Sequence, residues 1–128
     1  MLVHAELTER IIGSAIQVHT ELGPGLLEST YSACLDYEMG LAALHFERQV
    51  GLPVVYRKCH LDAGYRLDFV VEGAVIVELK AVEKIVPLHR AQLLSYLRLS
   101  GLTVGLLLNF NVVHYRQGIQ RMVHTPRG

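Results

Sequence analysis

The sequence has no surplus of charge of either sign. Twelve Lys and Arg balance twelve Asp and Glu, so the net charge is zero with the seven His neutral. Neutrality argues against a protein that grips nucleic acid by nonspecific charge alone, although a local patch could still do so. Nine of the twelve cations are Arg, the side chain suited to forked recognition of phosphate or carboxylate. Cysteine is scarce too. Cys34 and Cys59 are too few for a disulfide scaffold and lack zinc-ligand spacing; they read as reduced, largely buried thiols of a cytoplasmic protein. Long apolar runs are missing: stretches such as Ala74-Val-Ile-Val77 and Val104-Gly-Leu-Leu-Leu108 are strand-sized, far from the roughly 18–20 residues of a membrane helix. No membrane association is expected. The opening Met1-Leu-Val-His-Ala-Glu-Leu7 has no basic region ahead of an apolar core, so a signal peptide is not expected either. Repeats, low-complexity tracts and linkers are also lacking.

What remains is 128 residues of 51% hydrophobic content, enough for one core and read as a single domain over residues 1–128. Thr8 suits a helix N-cap, and Ile11, Ile12, Ala15, Ile16, His19 and Leu22 follow at helical spacing. Gly23-Pro-Gly25 ends that helix, and a second is expected from Leu26 to Met39. Residues 45–56 alternate like one bent strand or two short ones, broken near Gly51 and Pro53. Residues 57–64 read as a loop or hairpin turn. Tyr65–Val71 and Val75–Ala81 read as strands joined by a tight turn. A helix follows from Pro87 to about Leu99, then a wholly apolar strand Val104–Asn109, expected to be buried. Residues 112–115 and 119–123 read as strands of a hairpin around Gln117-Gly118. The order predicts a mixed sheet flanked by helices, with an antiparallel meander followed by a helical crossover to a parallel strand.

The chemistry concentrates in Tyr65-Arg-Leu-Asp68 and Val75-Ile-Val-Glu78-Leu-Lys80. Asp68 and Glu78 are acids inside apolar strands, where a lone carboxylate is costly and needs a partner. Lys80 shares a strand face with Glu78, while Leu79 points to the core and leaves its backbone carbonyl free to face the site. Register decides the rest. A two-residue turn at Glu72-Gly73 turns Asp68 away from Glu78. A three-residue turn, Glu72-Gly73-Ala74, sets Asp68 across from Glu78 and Arg66 across from Lys80. Two carboxylates and a carbonyl form a hard oxygen set suited to Mg²⁺ or Mn²⁺, and Lys80 could orient a water or stabilise charge on a phosphate. On spacing alone, these charges could equally be cross-strand ion pairs on a solvated sheet face.

An Asp on one strand and Glu-x-Lys on the next, preceded by a Glu-bearing helix, resembles the PD-(D/E)XK nuclease superfamily. Gly25-Leu-Leu-Glu28-Ser-Thr-Tyr31 further resembles the small family named for its GxxExxY motif. His19 to Gly25, Gly64 to Asp68, Val77 to Ala81 and Leu106-Leu-Leu-Asn-Phe-Asn111 are similar to that family's segments. The resemblance spans residues 8–123; Leu67 stands where the superfamily name has Pro. It implies a restriction-endonuclease-like αβββαβ core with an extra N-terminal helix, and metal-assisted phosphodiester hydrolysis; nucleic acid, DNA rather than RNA, is the substrate expected here. It implies an active site of Glu28, Asp68, Glu78, Lys80 and Gln92. Asp68, Glu78 and the Leu79 carbonyl would be the metal ligands, with Glu28 acting directly or through water. A nuclease-fold accessory module that does not cut is the alternative.

His89, Gln92 and Tyr96 fall on one helical stripe, readable as a substrate seam or a solvated face, and Arg66 as a phosphate contact or an ion-pair partner. Tyr31 shares a helix face with Glu28 and reads as a packing or orienting residue. His19 reads as a satisfied core histidine. Lys84, Arg90, Arg98, Arg116, Arg121 and Arg127 could line a groove for a nucleic-acid backbone, or lie scattered on the surface. The apolar excess suggests a homodimer that would bury part of it and pair two sites.

Overall fold

The structure is a computed structural model that describes residues 3–125. Arg127 and the first two residues of the N-terminal stretch lie outside the described residues. Helix α1 spans Ala5–Leu22 and buries Ile11, Ala15 and Val18 at helical spacing. It starts ahead of Thr8, the expected N-cap. Thr8 is buried inside the first turns, and its hydroxyl donates to the Ala5 carbonyl at 3.0 Å, the back-bonding that Thr adopts within a helix. Helix α2, Glu28–Leu41, buries Tyr31, Leu35 and Met39 on one stripe. It begins later than the expected Leu26, with Leu27 as its N-cap, and runs through Gly40 rather than stopping there.

The extended residues after α2 divide into β1 (Phe46–Gly51) and β2 (Val54–Tyr56). The stretch expected as a loop holds a third strand, β3 (Cys59–Leu61), which pairs with β2 as a separate hairpin. Then follow β4 (Arg66–Val71), β5 (Val75–Lys80), α3 (Pro87–Ser100), β6 (Val104–Asn109) and β7 (Ile119–Val123). Residues 112–115 form no strand; a 3₁₀ turn at Tyr115–Gly118 leads directly into β7.

The main sheet runs β1-β4-β5-β6-β7. Strands β1, β4 and β5 are antiparallel neighbours, β5 and β6 are parallel through the α3 crossover, and β7 returns antiparallel to β6. This is the expected mixed α/β architecture of restriction-endonuclease-like order, with α1 as the added N-terminal helix. The sheet separates two apolar layers. One joins Ile11, Tyr31, Leu35, Phe69, Val77 and Leu79 beneath α1 and α2; the other joins Leu67, Ile76, Leu93, Leu97 and Leu107 beneath α3. Each such buried aliphatic side chain contributes roughly 1.5–3 kcal/mol, which explains why β5 and β6 are apolar on both faces. Neither cysteine is fully buried: Cys34 is half-buried and Cys59 exposed, and both are free thiols. His19 is the satisfied core histidine expected, its Nε2 2.6 Å from the Val112 carbonyl oxygen and its ring against Tyr115.

Candidate active site

The turn between β4 and β5 is the three-residue form, because Val71 pairs with Val75. That register points Asp68 at Glu78, but regular pairing stops one step earlier, at Phe69 and Val77. Beyond it the carboxylates replace the ladder. The Asp68 N–H donates to Glu78 Oε1 at 3.1 Å, and the Leu79 N–H donates to Asp68 Oδ2 at 2.9 Å. On its other edge β4 pairs with β1 at Phe69–Arg48 and Leu67–Val50, while the Asp68–Gln49 pair between them is missing. Gln49 has φ of 52°, a left-handed conformation that costs a non-glycine residue roughly 1–2 kcal/mol. Strand alternation fails here as well: Leu67 lies in the layer under α3 and Phe69 in the layer under α1 and α2. Asp68 therefore occupies a break in β4 without a ladder partner on either side.

Burial sets the electrostatics. Glu78 is only 7% exposed, and its carboxyl is pushed up to about 9, first by desolvation and then by the charge of Asp68. Glu28 is also raised, by burial and by Asp68, with Lys80 opposing. The Tyr96 hydroxyl is raised by burial and by nearby Glu78, Tyr65 and Asp68. These mutual influences make Glu28, Asp68, Glu78, Lys80 and Tyr96 one electrostatic unit. Among the described residues the one salt bridge joins Arg48 to Asp36, so no cationic side chain neutralises Glu78 by contact.

Two cavities open from this region. One, of about 190 Å³, is lined by Glu28 and Asp68 with Ser29, Ser32, Arg48 and Gln49. The other, of about 520 Å³, lies between β5 and α3 and brings Lys80 together with His89, Gln92, Tyr96 and Tyr65. The stripe on α3 thus faces the end of β5 that carries Lys80. His89 Nδ1 is already engaged, accepting the Val86 N–H at 3.2 Å across the helix start. Arg66 is not brought in. It lines a different cavity with Asp62 and Leu52 and donates to the Tyr65 carbonyl at 3.0 Å. Its expected place across from Lys80 fails because pairing ends before reaching it. Arg90, Arg98, Arg116 and Lys84 are exposed, and Arg121 donates to the Val3 carbonyl.

Three positioning side chains hold the site from behind. The Tyr31 hydroxyl donates to the Gly23 carbonyl at 2.6 Å and accepts the Leu26 N–H at 3.1 Å, while its ring stacks on Phe110 at 4.7 Å. It thereby holds the turn that delivers Glu28, a turn in which Gly25 has φ of 100°. Asn111 Oδ1 accepts the Gly25 N–H at 3.1 Å. Asn109, 2% exposed, accepts the Val82 N–H at 3.1 Å and donates to the Val82 carbonyl at 2.9 Å, fixing the chain just after Lys80. The roles of Asn109 and Asn111 escaped sequence reasoning. The available signal was an amide ending a wholly apolar strand, where a buried polar group must be satisfied.

The donor chemistry of Asp68 and Glu78 fits a hard divalent cation: two carboxylates side by side, one of them buried with no ion-pair partner. The fuller three-acid cluster is not assembled. Among the described residues no three His, Cys, Asp or Glu side chains stand close enough together to hold an ion, so Glu28 shares the cavity of Asp68 without completing a ligand set.

Against known proteins, residues 5–122 match the family model of the PD-(D/E)XK nuclease superfamily. No curated protein and no solved structure gives a significant match.

Proposed function

The chain belongs to the PD-(D/E)XK nuclease superfamily, and from that premise we propose a small metal-dependent nuclease that hydrolyses phosphodiester bonds, in DNA rather than RNA. The observation that carries this reading is Glu78, a carboxylate 7% exposed, set against Asp68 at a break in the sheet, with Lys80 two residues on. Its charged form is costly in such a place unless a cation joins it, and without one burial keeps it protonated at neutral pH. Asp68, Glu78 and the Leu79 carbonyl would hold Mg²⁺ or Mn²⁺, with Glu28 reaching it directly or through water. When bound, the cation supplies Lewis acidity and neutralises charge at the phosphate. Lys80 orients the attacking water and stabilises charge developing on the phosphate. Gln92, with His89 and Tyr96, lines the cavity beside Lys80 in which the reacting strand would lie.

Gly25, Glu28 and Tyr31 support placing the chain in the GxxExxY family, since Tyr31 holds the very turn from which Glu28 enters its helix. The free thiols of Cys34 and Cys59 support a reducing compartment, the cytoplasm. Among the described residues no helix is long and apolar enough to cross a membrane. A symmetric dimer is the arrangement we propose for the apolar surface; light scattering that finds a monomer at micromolar concentration removes it.

A second reading is a nuclease-fold accessory module that does not cut. Zero net charge and the unassembled three-acid cluster favour it. Linear, circular and single-stranded DNA, and RNA, incubated with Mg²⁺ or Mn²⁺ separate the two. Cleavage that is lost in Lys80→Ala, with circular dichroism unchanged, supports the nuclease. Cleavage that survives points to another source. No cleavage, and no metal-dependent rise in melting temperature, moves the assignment to the accessory module.

A further inference from the structure

Strand geometry sends consecutive side chains to opposite faces, yet Arg48 and Gln49 line the same cavity beside Glu28 and Asp68. The left-handed backbone at Gln49, φ 52°, is what permits this, and it falls at the position where β1 would have paired with Asp68. Strained non-glycine residues gather at functional sites, and of the five here with positive φ, Gln49 is the one that lines a cavity with Asp68. The resulting wall carries one guanidinium, one carboxamide and the hydroxyls of Ser29 and Ser32. Arg48 is held in place: it donates to Asp36 at 3.0 Å and to Ser32 at 2.8 Å, with its guanidinium 5.2 Å from the Phe69 ring centroid. The Gln49 carboxamide makes no hydrogen bond among the described residues.

We propose that Arg48 and Gln49, with Ser29 and Ser32, form a subsite for a backbone phosphate of the substrate strand next to the scissile one. The inference rests on the nuclease reading and adds to it a second anchoring point, in a cavity separate from the one that contains Lys80. A guanidinium fork matches a phosphate diester, and hydroxyl and amide donors are the usual neutral partners of backbone phosphates. Asp36 is the competitor: it occupies the fork in the free protein and must release it, at least in part, when the strand arrives.

The test is the affinity of the full chain for a short fluorescein-labelled DNA duplex and for the matching single strand, read by anisotropy over a salt series without divalent metal. Arg48→Ala is expected to weaken binding about tenfold and to reduce the slope of log affinity against log salt by about one. Arg48→Lys should keep the slope and lose part of the affinity. Asp36→Asn, which frees the fork, should tighten binding about two- to fivefold. Gln49→Gly relieves the backbone and should hold or raise the melting temperature while weakening binding. Folded Arg48→Ala that binds as wild type does, with the same salt slope, overturns the subsite and leaves the nuclease reading intact. Wild-type protein that binds neither DNA form and cleaves none overturns both.

Discussion

The backbone N–H of Asp68 donates to the carboxylate of Glu78 at 3.1 Å, so the two acids meet through a main-chain group as well as through their charges. The bond gives Glu78 one partner but no neutralising charge, and burial holds its carboxyl raised from 4.5 to about 9. A carboxyl raised on folding contributes stability that is fully present below the unfolded value and is lost as pH rises toward the folded one.

Without divalent metal, the protein should therefore lose stability progressively between pH 4.5 and about 9. Glu78→Gln keeps an acceptor for the Asp68 N–H and removes the charge. In chelator-treated samples it should melt above wild type at the alkaline end by at least about 1.4 kcal/mol, one pKa unit's worth. The gap should close near the acidic end. Thermal melts across that range, read by circular dichroism, check it; a gap independent of pH would mean Glu78 is not the titrating group.

Tyr31→Phe keeps the stack on Phe110 and deletes both hydroxyl contacts to the turn before Glu28. Stability should fall by about 1–2 kcal/mol, from the lost bond and the unsatisfied partners. Cleavage should fall more than that loss explains, because Glu28 is no longer held, and the fall should be in kcat rather than KM. Chemical denaturation and steady-state kinetics on one preparation give both quantities.

Asn109→Ala should be among the most damaging single changes, costing about 3 kcal/mol. It strands the Val82 N–H and carbonyl and the Asn111 N–H, all now served by one buried amide. Gly118→Ala should be comparably severe from the other side of the same residue. A Cβ there would lie 2.0 Å from the Asn109 carbonyl oxygen, an overlap only backbone movement can relieve. Denaturation midpoints test both.

Gln92 is exposed and makes no hydrogen bond among the described residues, so Gln92→Ala should change stability by less than about 0.5 kcal/mol. If it contacts the reacting strand, cleavage should fall roughly tenfold to a hundredfold. An unchanged rate would leave Gln92 a solvated helix residue.

The parts of this architecture with a strong local signal could be read before any coordinates. The apolar run of β6 declared a buried strand, Pro87 a helix start, and Glu72-Gly73-Ala74 one of two turns, the longer of which set Asp68 toward Glu78. Other parts had no such signal. Nothing around Gln49 announces a left-handed residue, because it is the broken pairing with Asp68, across the sheet, that accompanies it. Thr8 looked like a cap because its alternative, a hydroxyl bonded back to Ala5 within a longer helix, uses the same residue type. The strand β3 is short and fully exposed, without the alternation that marks a half-buried strand. Arg66 was misplaced because pairing was expected to continue past Phe69, whereas two carboxylates interrupt it.

The clips made by Asn109 and Asn111 also have a consequence in time. Asn111 meets Gly25 across 86 residues of chain, and Asn109 meets Val82 across 27. On the ribosome, the helix that carries Glu28 and the strand that carries Lys80 are therefore made long before the groups that lock them. A nascent chain interrupted before Asn109 would contain every acid of the site and the Tyr31 bonds to its turn, but neither asparagine clip, with β5 lacking its parallel neighbour. On the nuclease reading, an unfinished chain is therefore expected not to cut, and competence to arrive only once Asn109 and Asn111 have been made.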